Sequence, residues 1–297
     1  MRTAIRRCIL SGLLLAILPV LLVATEVSLD SAQIMIWAQR NYNSWDNPLE
    51  TELSVNGNLV NIFSSDTFEP IEKYLKNGWN DLTLITRPQV PAGKDNELIF
   101  RVGPMQADPK DAKRMVMAPV LWEFRNGTDW SFNNGLYSYP LGPNVKEVTL
   151  SYQLYYAGLD LENQQLNAGD FVLQGKPNYT SWNSPVTATV FVNGTPLNSF
   201  TLHPRQVVIT KLLRPGKNEI KLISRRVKNA IKDNDILFTV GGPAEWNVSR
   251  KQYLFKPIVE FKARQGWQQD AATGQLINPA APDSETIERV ISFVLKE

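Results

Sequence analysis

The sequence predicts an all-β protein, built as two tandem antiparallel β-sandwich domains of jelly-roll type behind an N-terminal signal segment. Three observations predict it. Four blocks of sequence recur in the same order at a spacing near 137 residues. Each block alternates apolar and polar residues with period two and runs into a turn signal. Nineteen prolines and seventeen glycines, spread along 297 residues, cut the chain into segments too short for long helices.

The repeat opens with Tyr42-Asn43-Ser44-Trp45-Asp46-Asn47-Pro48, which returns as Tyr179-Thr180-Ser181-Trp182-Asn183-Ser184-Pro185. Both copies continue into alternating runs that end in Val55-Asn56-Gly57 and Val192-Asn193-Gly194. Asn-Gly after alternating apolar residues is a strong hairpin signal, because both central positions need positive φ. Next, Leu75 to Arg87 matches Leu213 to Arg225 through Gly78-Trp79-Asn80 and Gly216-Lys217-Asn218. Glycine permits a left-handed turn there, and asparagine can bond nearby backbone before the strand starts. Lys94 to Gly103 then matches Lys232 to Gly241, and Pro119 to Phe124 matches Pro257 to Lys262. One short helical turn fits between Phe68 and Leu75.

These blocks set the domain limits: a signal over 1–24, a first sandwich over 31–132, a linker over 133–144 and a second sandwich over 145–297. The linker carries Gly135, Pro140, Gly142 and Pro143. Val145 to Tyr156 is expected to open the second sandwich, with Val148, Leu150, Tyr152 and Leu154 on one face. Its echo, Ile287 to Leu295, is expected to close that sandwich, since an exposed apolar edge invites aggregation. The polar stretch Gly158 to Gly169 reads as a decorating loop.

Arg2, Arg6 and Arg7 precede an apolar run from Cys8 to Ala24, the layout of an export signal. An uncleaved anchor is the alternative, and membrane contact is expected through this segment alone. The implied location is secreted, periplasmic or cell-envelope. Cys8 is the single cysteine, so the expected core stands without a disulfide. A formal charge of +2 with both signs interspersed gives no nucleic-acid footprint. His203, the single histidine, excludes histidine-rich metal sites within the chain and reads as an ordinary loop residue.

Two resemblances follow from these motifs. A strand ending in Val-Asn-Gly, followed by Gly-x-Asn and another strand, resembles the sugar-binding jelly rolls attached to glycosidases. The order Trp45-Asp46, Gly-x-Asn and the late segment Lys251 to Phe261 is similar to peptide N-glycosidase F, a secreted pair of jelly rolls that removes N-linked glycans. Copper monooxygenases share that fold but need several histidines. The resemblance implies a catalytic role for Asp46, which follows Trp45 as the family's essential aspartate follows a tryptophan. The family's two partner acids fall on Ser181 and close to Arg87, and its cysteines are absent.

Candidate ligand-binding residues are Trp45, Trp182, Tyr42 and Tyr179, which suit sugar stacking or a structural corner alike. Trp79, Trp130, Trp246 and Trp267 show no counterpart in the other copy and stand out as loop aromatics. Asp95 with Glu97, and Asp233 with Asp235, could offer oxygen ligands to calcium; no other cofactor is expected. Glu123 and Glu260 read as partners of Arg87 and Arg225. Asn126, Asn178, Asn193 and Asn247 begin glycosylation sequons. The function expected from all this is non-catalytic binding of a glycan or cell-envelope component. A glycan-releasing amidase and an envelope scaffold that assembles through edge strands are the alternatives.

Overall fold

The computed structural model describes residues 33–41, 49–88, 97–127, 130–133, 136–138, 145–178, 186–228 and 234–295. The chain is all-β. Its first half holds β1 (Ile34–Asn41), β2 (Leu49–Val55), β3 (Asn58–Phe63), β4 (Thr67–Pro70), β5 (Gly78–Pro88), β6 (Glu97–Asp108), β7 (Asp111–Met117), β8 (Trp122–Arg125), β9 (Ser131–Asn133), β10 (Leu136–Ser138) and β11 (Val148–Tyr156). The second holds β12 (Val172–Asn178), β13 (Val186–Val192), β14 (Thr195–Pro196), β15 (Arg205–Val208), β16 (Gly216–Arg226), β17 (Asp235–Asn247), β18 (Gln252–Lys262), β19 (Gln268–Gln269), β20 (Leu276–Ile277) and β21 (Thr286–Leu295). Single 3-10 turns at Glu72–Tyr74 and Thr210–Leu212 are the only helical pieces among the described residues, the first where the sequence places one.

Hydrogen bonding gives four small antiparallel sheets: β4-β1-β6-β7 with β8 also on β6, β11-β5-β2-β3, β15-β12-β17-β18 and β14-β13-β16-β21. Together they form one compact unit, Ala32–Glu297, so the expectation of two separate jelly-roll domains is corrected. A jelly roll interleaves its strands through two Greek keys. Here β2–β3, β6–β7 and β17–β18 are hairpins that stay within one sheet. β11, expected to open the second domain, pairs with β5 from Val148↔Thr86 to Tyr156↔Gly78. It therefore belongs to the sheets of the first half. β21 pairs with β16 over ten residues in the equivalent way, so the terminal strand lies in the chain's own sheet.

The repeat reappears in three dimensions as duplicated packing. One apolar core takes Ile34 and Ile36 of β1, Leu53 and Val55 of β2, and Leu82 and Leu84 of β5. A second takes Val190, Val192, Ile220 and Leu222 at matching places. In the first core Phe100 stacks on Phe124 at 5.6 Å and meets Phe63 edge-on at 5.3 Å. In the second Phe238 stacks on Phe261 at 5.1 Å and meets Phe200 edge-on at 5.0 Å. Each ring is buried, and removal of one such ring costs about 3–5 kcal/mol.

The strongest repeated device is polar. Asn80, fully buried, donates from Nδ2 to the carbonyls of Lys76 and Gly78, at 2.8 and 2.9 Å. Its Oδ1 accepts from Lys76 N and from Asn56 Nδ2, both at 2.9 Å. Asn56 also donates to Tyr74 O and accepts from Asp81 N. Asn218 and Asn193 repeat every bond, to Arg214, Gly216, Leu212 and Glu219. The Asn-Gly turns adopt the expected positive φ, 50° and 78° at Asn56-Gly57 and 47° and 86° at Asn193-Gly194. Asn193 is thereby committed to the turn, and the sequon residue Asn126 is buried between Leu98 N and Thr51 Oγ1. Neither carboxamide is presented to a glycosylation enzyme.

Asn80→Ala strands the Lys76 amide and two carbonyls in a part-buried turn, where each orphaned group costs up to about 1–3 kcal/mol. Denaturant unfolding is expected to show a loss of about 2–4 kcal/mol for Asn80→Ala and a similar loss for Asn218→Ala. Losses within 0.5 kcal/mol of wild type would show that water replaces the carboxamide.

Candidate binding cleft

β5 and β11 turn alternate side chains outward because their other face lies on the core. Trp79, Asp81 and Thr83 of β5 therefore stand beside Tyr155, Gln153 and Ser151 of β11. Trp79 and Tyr155 meet edge to face at 5.3 Å, and Tyr155 reaches Phe191 of β13 at 5.9 Å. Cations cap this aromatic ridge: the Arg225 guanidinium lies 5.2 Å from the Trp79 ring and Lys221 Nζ lies 5.5 Å from Phe191. The ridge thus joins strands of both halves.

A cavity lies on each side of it. One, of about 310 Å³, is lined by Asp81, Thr83, Ser151, Gln153, Arg225, Arg226, Lys228 and Glu285, with Leu82 and Tyr152 behind them. The other, of about 510 Å³, includes Gly78, Tyr155, Tyr156, Asp160, Pro196 and Leu212. Partial burial pushes the Arg225 guanidinium below the ordinary arginine value, while Glu285 and Asp81 oppose that shift with their charge. Burial pushes the Tyr156 phenol up, and the negative charges of Glu72 and Asp160 push it further. Tyr156 therefore enters as a neutral hydrogen-bonding group.

The segment from Leu197 to Arg205 fastens the two halves beside the cleft. Ser199 and Tyr155 exchange two bonds, Tyr155 N donating to Ser199 Oγ at 2.7 Å and Ser199 N to Tyr155 O at 3.0 Å. Arg205 is buried over the Phe200 ring and donates to Leu121 O at 2.9 Å, Ser199 O at 3.2 Å and Asn198 O. Burial lowers its pKa, and the Glu162 carboxylate, 3.5 Å from Arg205 Nε and itself buried, acts against that. The loop read as decoration supplies Glu162, which also accepts from Asn198.

The tryptophans fall into distinct roles. Trp130 and Trp267, read as unmatched loop aromatics, are buried counterparts, 7% and 6% exposed. Trp130 Nε1 donates to Thr86 Oγ1 at 3.0 Å, and Thr86 passes the bond to Val148 O. Trp267 Nε1 donates to Ser224 Oγ at 3.0 Å, and Ser224 bonds Ile287 O. They are core pins, which corrects their reading as ligand platforms. Trp79 stands on the ridge between the cavities, edge-on to Tyr155 and against Arg225. Trp246 is exposed on the β17–β18 hairpin, edge-on to Tyr253. Tyr42, Trp45, Asp46, Tyr179, Trp182, Asp95 and Asp233 lie outside the described residues. Tyr155 and Arg225 are site residues that the repeat does not single out. The two-residue period that placed Tyr152 and Leu154 inward also places Tyr155 outward.

The described calcium candidates have other work. Glu97 pairs with Arg125 at 2.5 Å and accepts from Asn41 Nδ2. Asp235 accepts from the backbone of Ile236 and Arg264, and burial holds its carboxyl above the usual range against those bonds. Among the described residues no group of three or more His, Cys, Asp or Glu could hold a metal ion. Glu123 is partnered by Arg101, at 2.7 Å, and by His203, at 3.5 Å, which corrects its assignment to Arg87. Arg87 instead pairs with Glu52 and Glu147.

Comparison with known proteins gives no family. No family model matches the chain, and no curated protein matches it. Among solved structures, a β-D-glucuronidase from Dictyoglomus thermophilum aligns at 15% identity and a TM-score of 0.16, over 76% of this chain and 36% of that one. The chain thus spans about a third of that enzyme, and at such a TM-score neither fold nor activity transfers. The resemblance to peptide N-glycosidase F is withdrawn on the fold. The chain forms four small sheets in one compact unit, and that family does not emerge from the comparisons. The position nearest its third acid is the ion-paired Arg87.

Burial alone would raise the Glu123 carboxyl, but hydrogen bonds from His203 and Arg101 outweigh it and hold the group below the usual range. A depressed carboxylate stabilises the fold above its unfolded pKa and loses that contribution as pH falls through the folded one. Glu123→Gln is expected to cost about 1–3 kcal/mol at pH 7. The gap from wild type should narrow as pH falls below about 4.3. Thermal unfolding of both proteins between pH 7 and pH 3 tests this; a gap independent of pH would refute it.

Proposed function

We propose that this protein is an exported, non-catalytic binding protein that takes a glycan of the cell surface or envelope in the cleft beside Trp79. In this reading each facing pair of sheets acts as a two-layer sandwich, and the cleft forms where their outer faces meet. One observation carries the proposal: an aromatic ridge, Trp79–Tyr155–Phe191, with a polar cavity on one side and a tyrosine-lined one on the other.

The chemistry suits a sugar. A pyranose presents an apolar C–H face and a rim of hydroxyls, so it needs a ring edge or face together with planar and hydroxyl partners. Trp79 and Tyr155 offer the aromatic surface, while Thr83, Ser151 and Gln153 offer groups that donate and accept. A volume of about 310 Å³ lies at the small end of ligand sites and accommodates one sugar residue with its waters. The acids lining that cavity, Asp81 and Glu285, act as counter-charges to Arg225. This arrangement favours binding over hydrolysis.

Isothermal titration against a panel of neutral and acidic oligosaccharides tests the proposal. Trp79→Ala is expected to weaken binding about tenfold, the loss of one stacking contact. Ser151→Ala removes a hydroxyl from the lining of the 310 Å³ cavity without touching the core, and should weaken binding while leaving the unfolding temperature unchanged. Undiminished affinity in both variants, or no glycan bound by the wild type, would overturn the assignment.

A further inference from the structure

β17 and β18 continue beyond their sheet. β12 accompanies β17 only as far as Val172↔Gly241, and the β17–β18 register then shifts between Val240 and Ala244. Bonds between Ala244 and the backbone of Gly169 and Asp170 fix the base. Past that point the ribbon is two-stranded, with Glu245↔Leu254, Trp246↔Tyr253 and Asn247↔Gln252. An unsupported ribbon of this kind is weakly stable in water, yet it holds some of the most exposed apolar side chains of the molecule. Trp246 is 52% exposed and Val248, at the turn, 78%. The turn itself is closed by Asn247 Oδ1, which accepts from Arg250 N and Ser249 Oγ at 2.8 Å each.

Charge accompanies this apolar tip. Arg250 and Lys251 are exposed on the ribbon and Lys256 at its base, against the single acid Glu245. The corresponding hairpin of the first half, β6–β7, also runs past its third strand and carries exposed Met115 with Lys110, Lys113 and Arg114. A basic ribbon ending in an exposed tryptophan with a tyrosine beside it matches the boundary of a bilayer. Amphipathic aromatic rings settle at headgroup depth there, and lysine and arginine meet lipid phosphates.

We propose that the β17–β18 hairpin docks the protein on an anionic lipid surface, independently of the cleft. Trp246 and Val248 enter the headgroup boundary, and Arg250, Lys251 and Lys256 lie over the phosphates. Co-sedimentation of the full chain with vesicles of mixed phosphatidylcholine and phosphatidylglycerol, and with phosphatidylcholine alone, tests it. Wild type is expected to favour the anionic vesicles and to release as salt rises. Trp246→Ala/Val248→Ser and, separately, Arg250→Glu/Lys251→Glu should each reduce binding about tenfold. Both pairs lie at an exposed tip, so unfolding temperatures should match wild type.

Binding through the apolar N-terminal run would be insensitive to both double variants, and that result overturns the proposal. Equal binding to neutral vesicles overturns it too, as would a hairpin that captures a soluble glycan or protein while wild type ignores the vesicles. Loss of oligosaccharide binding in Trp79→Ala with vesicle binding intact keeps the two sites distinct.

Discussion

A buried carboxamide has to find two donors and two acceptors, or nearly so, and in each half of this chain one such group decides where a central strand begins. Asn80 ties the turn before β5 to the hairpin of β2 and β3 through Asn56. Asn218 ties the turn before β16 to the hairpin after β13 through Asn193. Because its partners are backbone groups apart from the one asparagine side chain of the neighbouring hairpin, the carboxamide fixes backbone position. Register follows from it: Val55 meets Leu82, and Val192 meets Ile220. A slip of one residue would turn both apolar faces toward water. The outward row that ends in Trp79 is aimed by the same constraint, so the geometry of the cleft descends from this bond set.

The halves are not independent copies placed side by side. Arg205 of β15 is sealed against backbone carbonyls from both halves, at Leu121 and Ser199. Three carbonyl oxygens, the Phe200 ring and the Glu162 carboxylate offset part of the cost of burying its charge, and burial still lowers its pKa. Ser199 and Thr201 add bonds to Tyr155 and Glu123 across the same boundary. This polar seam explains why 32–297 behaves as one compact unit despite having two apolar cores. It also holds the two walls of the cleft at fixed separation.

Much of the fold was legible because the repeat writes its backbone needs into residue types. Asn-Gly demanded positive φ and received it; Gly-x-Asn demanded a turn and a local bond and received both. The equivalence of Trp130 and Trp267 was hidden because one stands after Asn126-Gly127 and the other after Arg264-Gln265-Gly266, with no matching neighbours. Their spacing, 267 − 130 = 137, is that of the opening motif and was the available clue. Ownership of β11 was not legible, since a period-two strand announces which face is buried but not which neighbour it joins. Glu123 could not be paired from sequence either. Its partners come from β6 and from a loop of the other half, a choice made by cross-strand register and by the seam.

The two halves agree at buried positions and part company on their open faces. Across the first sheet one row reads Phe68, Trp37, Arg101, Glu123, with Trp37 stacked on Phe68 at 5.1 Å. The same row in the second half reads Gln206, Gln174, Thr239, Glu260, with Thr239 donating to Glu260 at 3.1 Å. Identical strand pairing thus supports an aromatic and cationic ladder in one place and an uncharged amide and hydroxyl comb in the other, with one glutamate common to both. Packing in the apolar cores places strict limits on the inward residues, whereas outward residues answer to whatever covers them, which for Glu123 is the seam with the other half. Trp79 shows the same asymmetry, for the matching position of β16 is Lys217 and carries no ring. The hairpin tips differ in kind as well, methionine in one half and tryptophan in the other. Chemistry specific to one half can therefore be sought where the copies diverge on a shared backbone.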